Sequence, residues 1–362
     1  DKMLIHVIIF MIITTMQFST TCHAYVINVT NVNVSMFPAI LVFGDSTIDT
    51  GNNNYIKTYI RANFPPYGCN FPGHNATGRF SNGKLIPDFI ASLMGIKDTV
   101  PPFLDPHLSD SDIITGVCFA SAGSGYDNLT DRATSTLSVD KQADMLRSYV
   151  ERLSQIVGDE KAASIVSEAL VIVSSGTNDF NLNLYDTPSR RQKLGVDGYQ
   201  SFILSNVHNF VQELYDIGCR KIMVLGLPPV GCLPIQMTMA MQKQNERRCI
   251  DKQNSDSQEF NQKLKNSLTE MQSNLTGSVI FYGDIYGALF DMATNPQRYG
   301  LKETTRGSCG TGEIELAYLC NALTRICPNP NQYLFWDDIH PSQIAYIVIS
   351  LSLVEQIFHV LS

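Results

Sequence analysis

The sequence predicts an α/β fold: a three-layer α/β/α sandwich around a mostly parallel central sheet. Two observations carry that expectation. Short, wholly apolar runs recur along the 362 residues, and longer segments with helically spaced apolar residues lie between them. A strand buried on both faces reads as a continuous apolar run, the pattern of a central parallel strand. Strands that alternate with amphipathic helices put helices on both faces of the sheet. A content of 44% hydrophobic and 17% charged residues is that of a globular chain able to bury a large core. With no Pro/Gly-rich linker or internal repeat, residues 38–362 read as a single domain.

The first element is a targeting segment. Leu4 to Met16 is almost wholly apolar, and the chain then turns polar and reaches Cys22-His23-Ala24. That pattern reads as a secretory signal over residues 1–24, cleaved after Ala24, with a short leader over 25–37. The apolar run falls short of the roughly 20 residues that a membrane span needs. Sequons at Asn28, Asn33, Asn75, Asn128 and Asn274 suit a glycosylated surface. Of the nine cysteines, Cys22 leaves with the signal, and some of the rest should pair in an oxidising compartment. The expected location is therefore secreted and extracellular.

The elements of the sandwich follow in order. Ala39–Phe43, Ala169–Val173, Lys221–Leu227 and Ser278–Tyr282 read as central strands. Met145, Leu146, Tyr149, Val150, Leu153, Ile156 and Val157 keep helical spacing up to Gly158, and Phe202 to Leu214 does so up to Gly218. Asn245 to Ser273 reads as a long polar surface helix. Ile344 to Leu361 is very apolar, but Glu355 and His359 interrupt it, so it reads as a helix packed on the sheet, not as an anchor.

Charge excludes some functions. The net charge is −8 and no Lys/Arg cluster is present, so no nucleic-acid partner is expected. No C-x-x-C pair or second histidine stands at ligand spacing, so no metal site is expected.

Ligands of open parallel sheets bind beyond the carboxyl ends of the strands, and the residues capable of chemistry follow the apolar runs. Ser46 closes Gly44-Asp45-Ser46 after the first run, where the amino end of a following helix would favour negative charge. Taken alone, the tripeptide is more simply a turn. Ala120-Ser121-Ala122-Gly123-Ser124-Gly125 offers backbone N–H groups that a ligand can approach closely, as an oxyanion hole requires, though a lone small-residue stretch is usually just a loop. Asn178, in Gly176-Thr177-Asn178-Asp179, carries a neutral amide donor suited to an oxyanion, or it caps a helix. In Trp336-Asp337-Asp338-Ile339-His340-Pro341 a carboxylate lies three positions before an imidazole. Asp337 could hold the tautomer of His340 and leave the other ring nitrogen for the Ser46 proton. The alternative is an opening turn with Pro341 at the start of a helix. Together these residues supply nucleophile, base, orienter and oxyanion donors.

The same residues resemble a known family. Phe43 to Asn54, Gly116 to Gly123, Gly176 to Asp179, Leu225 to Pro234, Tyr333 to Asp337 and His340-Pro341 are similar, in order, to the blocks of the plant GDSL-motif esterases and lipases of the SGNH hydrolase superfamily. The resemblance runs from about Phe37 to the end of the chain. It implies a serine hydrolase of acyl esters with no metal or organic cofactor. It also implies Ser46 as nucleophile and oxyanion donor, Gly123 and Asn178 as the other donors, and Asp337 and His340 as acid and base. Small-molecule, lipid or cell-wall esters are the implied substrates. Three positions depart from the pattern: Thr47 for the motif's Leu, Cys118 for an Asn, and Ser308 where relatives often carry a second adjacent cysteine. The same residues would also serve an acyltransferase, or persist in a catalytically silent wall-associated binding or defence protein. Acyl-chain preference falls to loops such as Asn63–Arg79 and Asn181–Val196.

Overall fold

The computed structural model describes residues 9–10, 26–27, 36–187, 189–244 and 247–361. The rest of the expected signal and most of the leader, with Asn28 and Asn33, lie outside the described residues. Four parallel strands form the central sheet: β1 (Ile40–Gly44), β2 (Leu170–Ser174), β3 (Lys221–Leu225) and β4 (Val279–Gly283), adjacent in that order. Residues 115–121 extend it on the free side of β1. There Ile40 and Val42 donate to the carbonyls of Thr115 and Val117, and Phe119 and Ser121 donate back to Val42 and Gly44, at 2.7–3.2 Å. Counted as a strand, this segment gives the spatial order 2-1-3-4-5, in which the order of strand addition reverses between β1 and β2; doubly wound sheets bind ligands at that point. Its apolar part is only Val117–Ala120, because Gly116 and Ser121 flank it.

The apolar runs are continuous because successive side chains enter different cores. On one face Leu41, Phe43, Val171, Val173, Ile222 and Val224 meet the inner residues of three long helices and of shorter ones, Asp159–Glu168 among them. On the other, Ile40, Val42, Leu170, Ile172, Met223 and Leu225 meet three more. The second face is covered by α1 (Ile86–Leu93), α5 (Tyr286–Thr294) and α6 (Gln343–Leu361), and the first by α2 (Val139–Val157), α3 (Ser189–Ile217) and α4 (Asp251–Asn274). The expected three-layer α/β/α architecture is the one observed.

The helix boundaries show what spacing alone misses. For α2, the Ser138 hydroxyl caps the Lys141 N–H and Gly158 ends the helix at φ 84°. Helix α3 starts at Ser189, well before the first apolar repeat, because its opening turns are polar; Gly195 breaks it at φ 72°. Helix α4 starts at Asp251, not Asn245. The Cys232–Cys249 disulfide and a bond from Ile250 N–H to the Gly231 carbonyl hold residues 249 and 250 outside the helix, with Ile250 extended. It is not a bare surface helix either, since Phe260, Leu264, Leu268 and Met271 are buried. Helix α6 is long and apolar enough to cross a membrane by composition. It packs Ala345, Tyr346, Ile349, Leu353 and Ile357 into the core against the sheet.

One buried ion pair anchors the loops above the sheet. Arg79 reaches Asp88 in α1 with two bonds of 2.7 and 2.8 Å and also donates to the carbonyls of Thr50 and Val100. Asp88 in turn accepts the N–H groups of Leu85 and Val100. Arg79→Met would strand a buried carboxylate, and such losses cost about 3–5 kcal/mol, whereas exposed pairs contribute about 0–1 kcal/mol. Urea unfolding should show a loss of that order for Arg79→Met and almost none for Lys141→Met, whose partner Asp144 is exposed. Equal effects would contradict the anchoring role.

Candidate active site

The site is built on the carboxyl end of β1. Gly44 has φ 141°, and a Cβ there would stand 1.8 Å from the Ser174 carbonyl oxygen, so only glycine lets β1 and β2 end this close. The Gly44 carbonyl accepts from Ser121 N–H, the Ser124 hydroxyl and the Gln142 amide, and Gln142 accepts the Gly44 N–H at 2.7 Å. Ser46 leaves this junction in a tight turn, with the N–H groups of Ile48 and Asp49 on the Asp45 carbonyl. The helix expected to follow Ser46 is absent. The next α-helix is α1 at Ile86, so any anion at Ser46 would have to be met by individual donors and not by a helix end.

Ser46, His340 and Asp337 come together. His340 Nε2 lies 2.7 Å from Ser46 Oγ, and its Nδ1 lies 2.9 and 2.8 Å from the two Asp337 oxygens. The donor role of Nδ1 is assigned from these partners, because a carboxylate can only accept. Ser46 is 6% exposed, His340 2% and Asp337 0%, so the line is dry except at its serine end. The Asp337 turn is closed by the N–H groups of Ile339 and His340 donating to Oδ1. Phe80 packs on the imidazole, with ring centroids 4.9 Å apart.

The residues expected as oxyanion donors lie just past the ends of β1, of residues 115–121 and of β2. Among the described residues, the N–H groups of Ser46 and Gly123 have no hydrogen-bond acceptor. Gly123 has φ 89°. Asn178 does not cap a helix: it lies within the turn Thr177–Asp179, and its Nδ2 donates to the Ser124 carbonyl at 2.9 Å. That bond orients the amide and leaves its second hydrogen unused.

The scaffold beneath was not assigned from sequence. Asp49 accepts the N–H groups of Gly51 and Asn52 with one oxygen and that of Ala122 with the other, at 2.8–3.0 Å. Asn52 donates to the carbonyls of Cys118 and Ala120, and Asn53 to that of Ala122. The run Asp49 to Asn54 thus binds the nucleophile turn to the Gly123 segment. Asp179 performs the same task for Asn178, accepting the N–H groups of Tyr126 and Asp127 and the Thr130 hydroxyl. A side chain at Gly125 would fall 2.2 Å from the Asp179 carboxylate. The polar run beside Ser46 was the only sequence signal of these roles.

Burial dominates the electrostatics. It raises Asp45 and Asp49 to about 6, against the opposing pull of their hydrogen bonds, and Asp179 to about 7. The three departures from the family pattern are all used locally. The Thr47 hydroxyl donates to Asp45 at 2.8 Å and lies 3.0 Å from the Ser174 hydroxyl. The Cys118 thiol is buried against the Ile48 carbonyl. Ser308 Oγ sits 2.6 Å from the free Cys327 sulfur, and the neighbouring Cys309 is bonded to Cys320. The remaining sequon residues Asn75, Asn128 and Asn274 are all exposed. No group of His, Cys, Asp and Glu among the described residues could hold a metal ion.

A serine hydroxyl, a buried His-Asp pair and N–H groups without acceptors thus stand at a parallel-sheet switch point. The sequence matches the model of the GDSL-like lipase/acylhydrolase family over residues 40–353, a span that includes every residue above. A GDSL esterase/lipase of Arabidopsis thaliana is 54% identical over 313 residues, covering 86% of this chain and 87% of the relative. Two others from that plant are 53% identical over 313 residues each, covering 86% of this chain and 86% and 87% of themselves. The crystal structure of a lipase from a goat rumen metagenome aligns over 87% of this chain and 95% of its own, with a TM-score of 0.39 at 12% identity. The chain belongs to the GDSL-like lipase/acylhydrolase family and is a hydrolase of ester bonds.

Asp131 gives the site's surroundings a pH signature. It accepts Gly125 N–H, its second oxygen is buried without a partner, and burial raises it to about 7. An unfolded aspartate titrates near ~3.9, so the folded state keeps a proton that the unfolded chain releases. Its contribution to stability is therefore full below ~3.9 and is lost as pH rises through the folded value. Unfolding free energy should fall between pH 5 and pH 8 in the wild type and fall less in Asp131→Asn. Equal slopes would contradict the assignment.

Proposed function

We propose that this chain is a secreted serine esterase that passes an acyl group from an ester first to Ser46 and then to water. The observation that carries the reading is the 2.7 Å contact between His340 Nε2 and Ser46 Oγ, with Asp337 closing on Nδ1. His340 takes the serine proton as Oγ attacks the ester carbonyl, and the buried Asp337 stabilises the imidazolium. The tetrahedral oxyanion is met by the N–H groups of Ser46 and Gly123 and by the free amide hydrogen of Asn178. His340 then protonates the departing alcohol, and the acyl-enzyme is hydrolysed by the same steps with water as nucleophile. None of these steps calls for a metal or organic cofactor.

Secretion is part of the proposal. It is supported by the apolar segment before Ala24, by the sequons and by two disulfides, a bond type that persists in oxidising compartments. The mature protein is read as a short leader over residues 25–37 and one hydrolase domain over 38–362, glycosylated at Asn28, Asn33, Asn75, Asn128 and Asn274, with acyl-ester small molecules, lipids or wall esters as substrates.

Hydrolysis of p-nitrophenyl esters of graded chain length tests the reading. Ser46→Ala should abolish turnover, and Asn178→Ala should lower kcat by about 10²–10³, the usual cost of one oxyanion donor. Undiminished hydrolysis by folded Ser46→Ala would overturn the nucleophile assignment. Unchanged turnover in Asn178→Ala would remove that residue from the oxyanion hole.

A further inference from the structure

We propose that Tyr67 is a positioning residue for the His340–Asp337 pair, acting by a hydrogen bond that fixes Asp337 from outside its own turn. The inference rests on the assignment of Ser46, His340 and Asp337 made above. Among the described residues, Asp337 accepts two backbone N–H groups from its own turn, both on Oδ1, and the imidazole N–H. Any Asp-x-x-His turn closed in this way would supply those three. The fourth donor is the Tyr67 hydroxyl, 3.0 Å from Oδ2 and 270 residues away in sequence. Without it, Oδ2 would have only the imidazole, and the carboxylate plane would be held from one side alone.

The direction of that bond is itself fixed. The Tyr67 oxygen accepts the Ala317 N–H at 3.0 Å, so its single proton is left for Asp337. Ala317 is held for this with φ 48°, a left-handed conformation that costs a non-glycine residue energy. It lies within the loop closed by the Cys309–Cys320 disulfide, and the adjacent Tyr318 stacks on Phe64 at 5.2 Å. The Tyr67 ring is 1% exposed and meets Phe64, Phe80 and Trp336 edge-on. Burial and the charge of Asp337 raise the phenol well above its ordinary range, so it remains a donor at any working pH. The disulfide loop thus reaches the nucleophile through a continuous line of Ala317, Tyr67, Asp337, His340 and Ser46. The other ionisable groups facing the pair are Asp45 on the nucleophile turn, Asp338 beside Asp337, and Tyr346 on α6.

Tyr67→Phe keeps the ring contacts and removes only the hydroxyl. It should lower kcat about tenfold, with KM within about twofold, the pattern of an interaction made in the transition state. Removing the donor concentrates negative charge on Asp337 and favours the imidazolium, so the acid limb of kcat/KM should move to higher pH by about half a unit. The decisive measurement is the cycle of Tyr67→Phe, Asp337→Asn and the double variant. If Tyr67 acts through Asp337, Tyr67→Phe costs almost nothing further in the Asp337→Asn background. The same loss in both backgrounds, or an unmoved acid limb, would overturn the proposal and leave Tyr67 as packing. Wild-type turnover in Asp337→Asn would instead overturn the base assignment, and the proposal with it. Should Tyr67→Phe fail to fold, 3,5-difluorotyrosine placed at position 67 is a stronger donor of nearly the same shape. It should move the acid limb to lower pH, and an unmoved limb there would overturn the proposal equally.

Discussion

The parallel pairing of β1 with β2 on one side and with residues 115–121 on the other is the constraint from which the rest of the structure follows. It forces three chain segments to end side by side, each with backbone groups that the ladder no longer satisfies. Gly44 and Ser121 share the last rung on one side, and Gly44 meets Ser174 on the other, at a distance that no side chain at Gly44 would allow. Ser46, Gly123 and Asn178 are what lies just past those three ends. Their convergence is a consequence of sheet order, and it needs no contact between the three segments elsewhere.

Sheet order alone does not hold loops rigid, and here buried carboxylates do so. Asp49 ties the nucleophile turn to the Gly123 segment, Asp179 ties the Asn178 turn to residues 126–130, and Asp88 holds Arg79 against the Thr50 carbonyl. Each binds two or more backbone N–H groups, at least one of them from beyond its own turn. Burial works against their charge, as the raised positions of Asp49 and Asp179 show, and the hydrogen bonds offset much of that cost. A loop held by a buried carboxylate has few alternatives, because any movement leaves either the carboxylate or the amides unpaired. Such a scaffold suits oxyanion donors, which must be in place before charge develops.

Much of this was legible in the sequence. The four central strands and the core-facing stretches of α2, α3 and α6 follow from apolar periodicity. Ser46, Gly123, Asn178, Asp337 and His340 were picked out by chemistry and by their places after apolar runs, and the structure puts His340 between Ser46 and Asp337. What was not legible depends on backbone positions. The roles of Asp49 and Asp179 were not legible, since their partners are mostly amides that a sequence does not locate. The 115–121 edge is too short to announce a strand. The opening of α3 is polar, and the start of α4 is set by a disulfide whose pairing spacing does not reveal. Tyr67 gave no signal at all, because its meaning lies in a residue at the far end of the chain.

The central claim is that Ser46 is the residue made reactive by this arrangement. Its most direct test is covalent: the folded, disulfide-intact protein is treated with a fluorophosphonate, digested and mapped by mass spectrometry. The account predicts a single phosphonylated serine, Ser46, with labelling lost in His340→Ala because the hydroxyl is then no longer activated. Labelling of another serine, or equal labelling of Ser46 without His340, would contradict it.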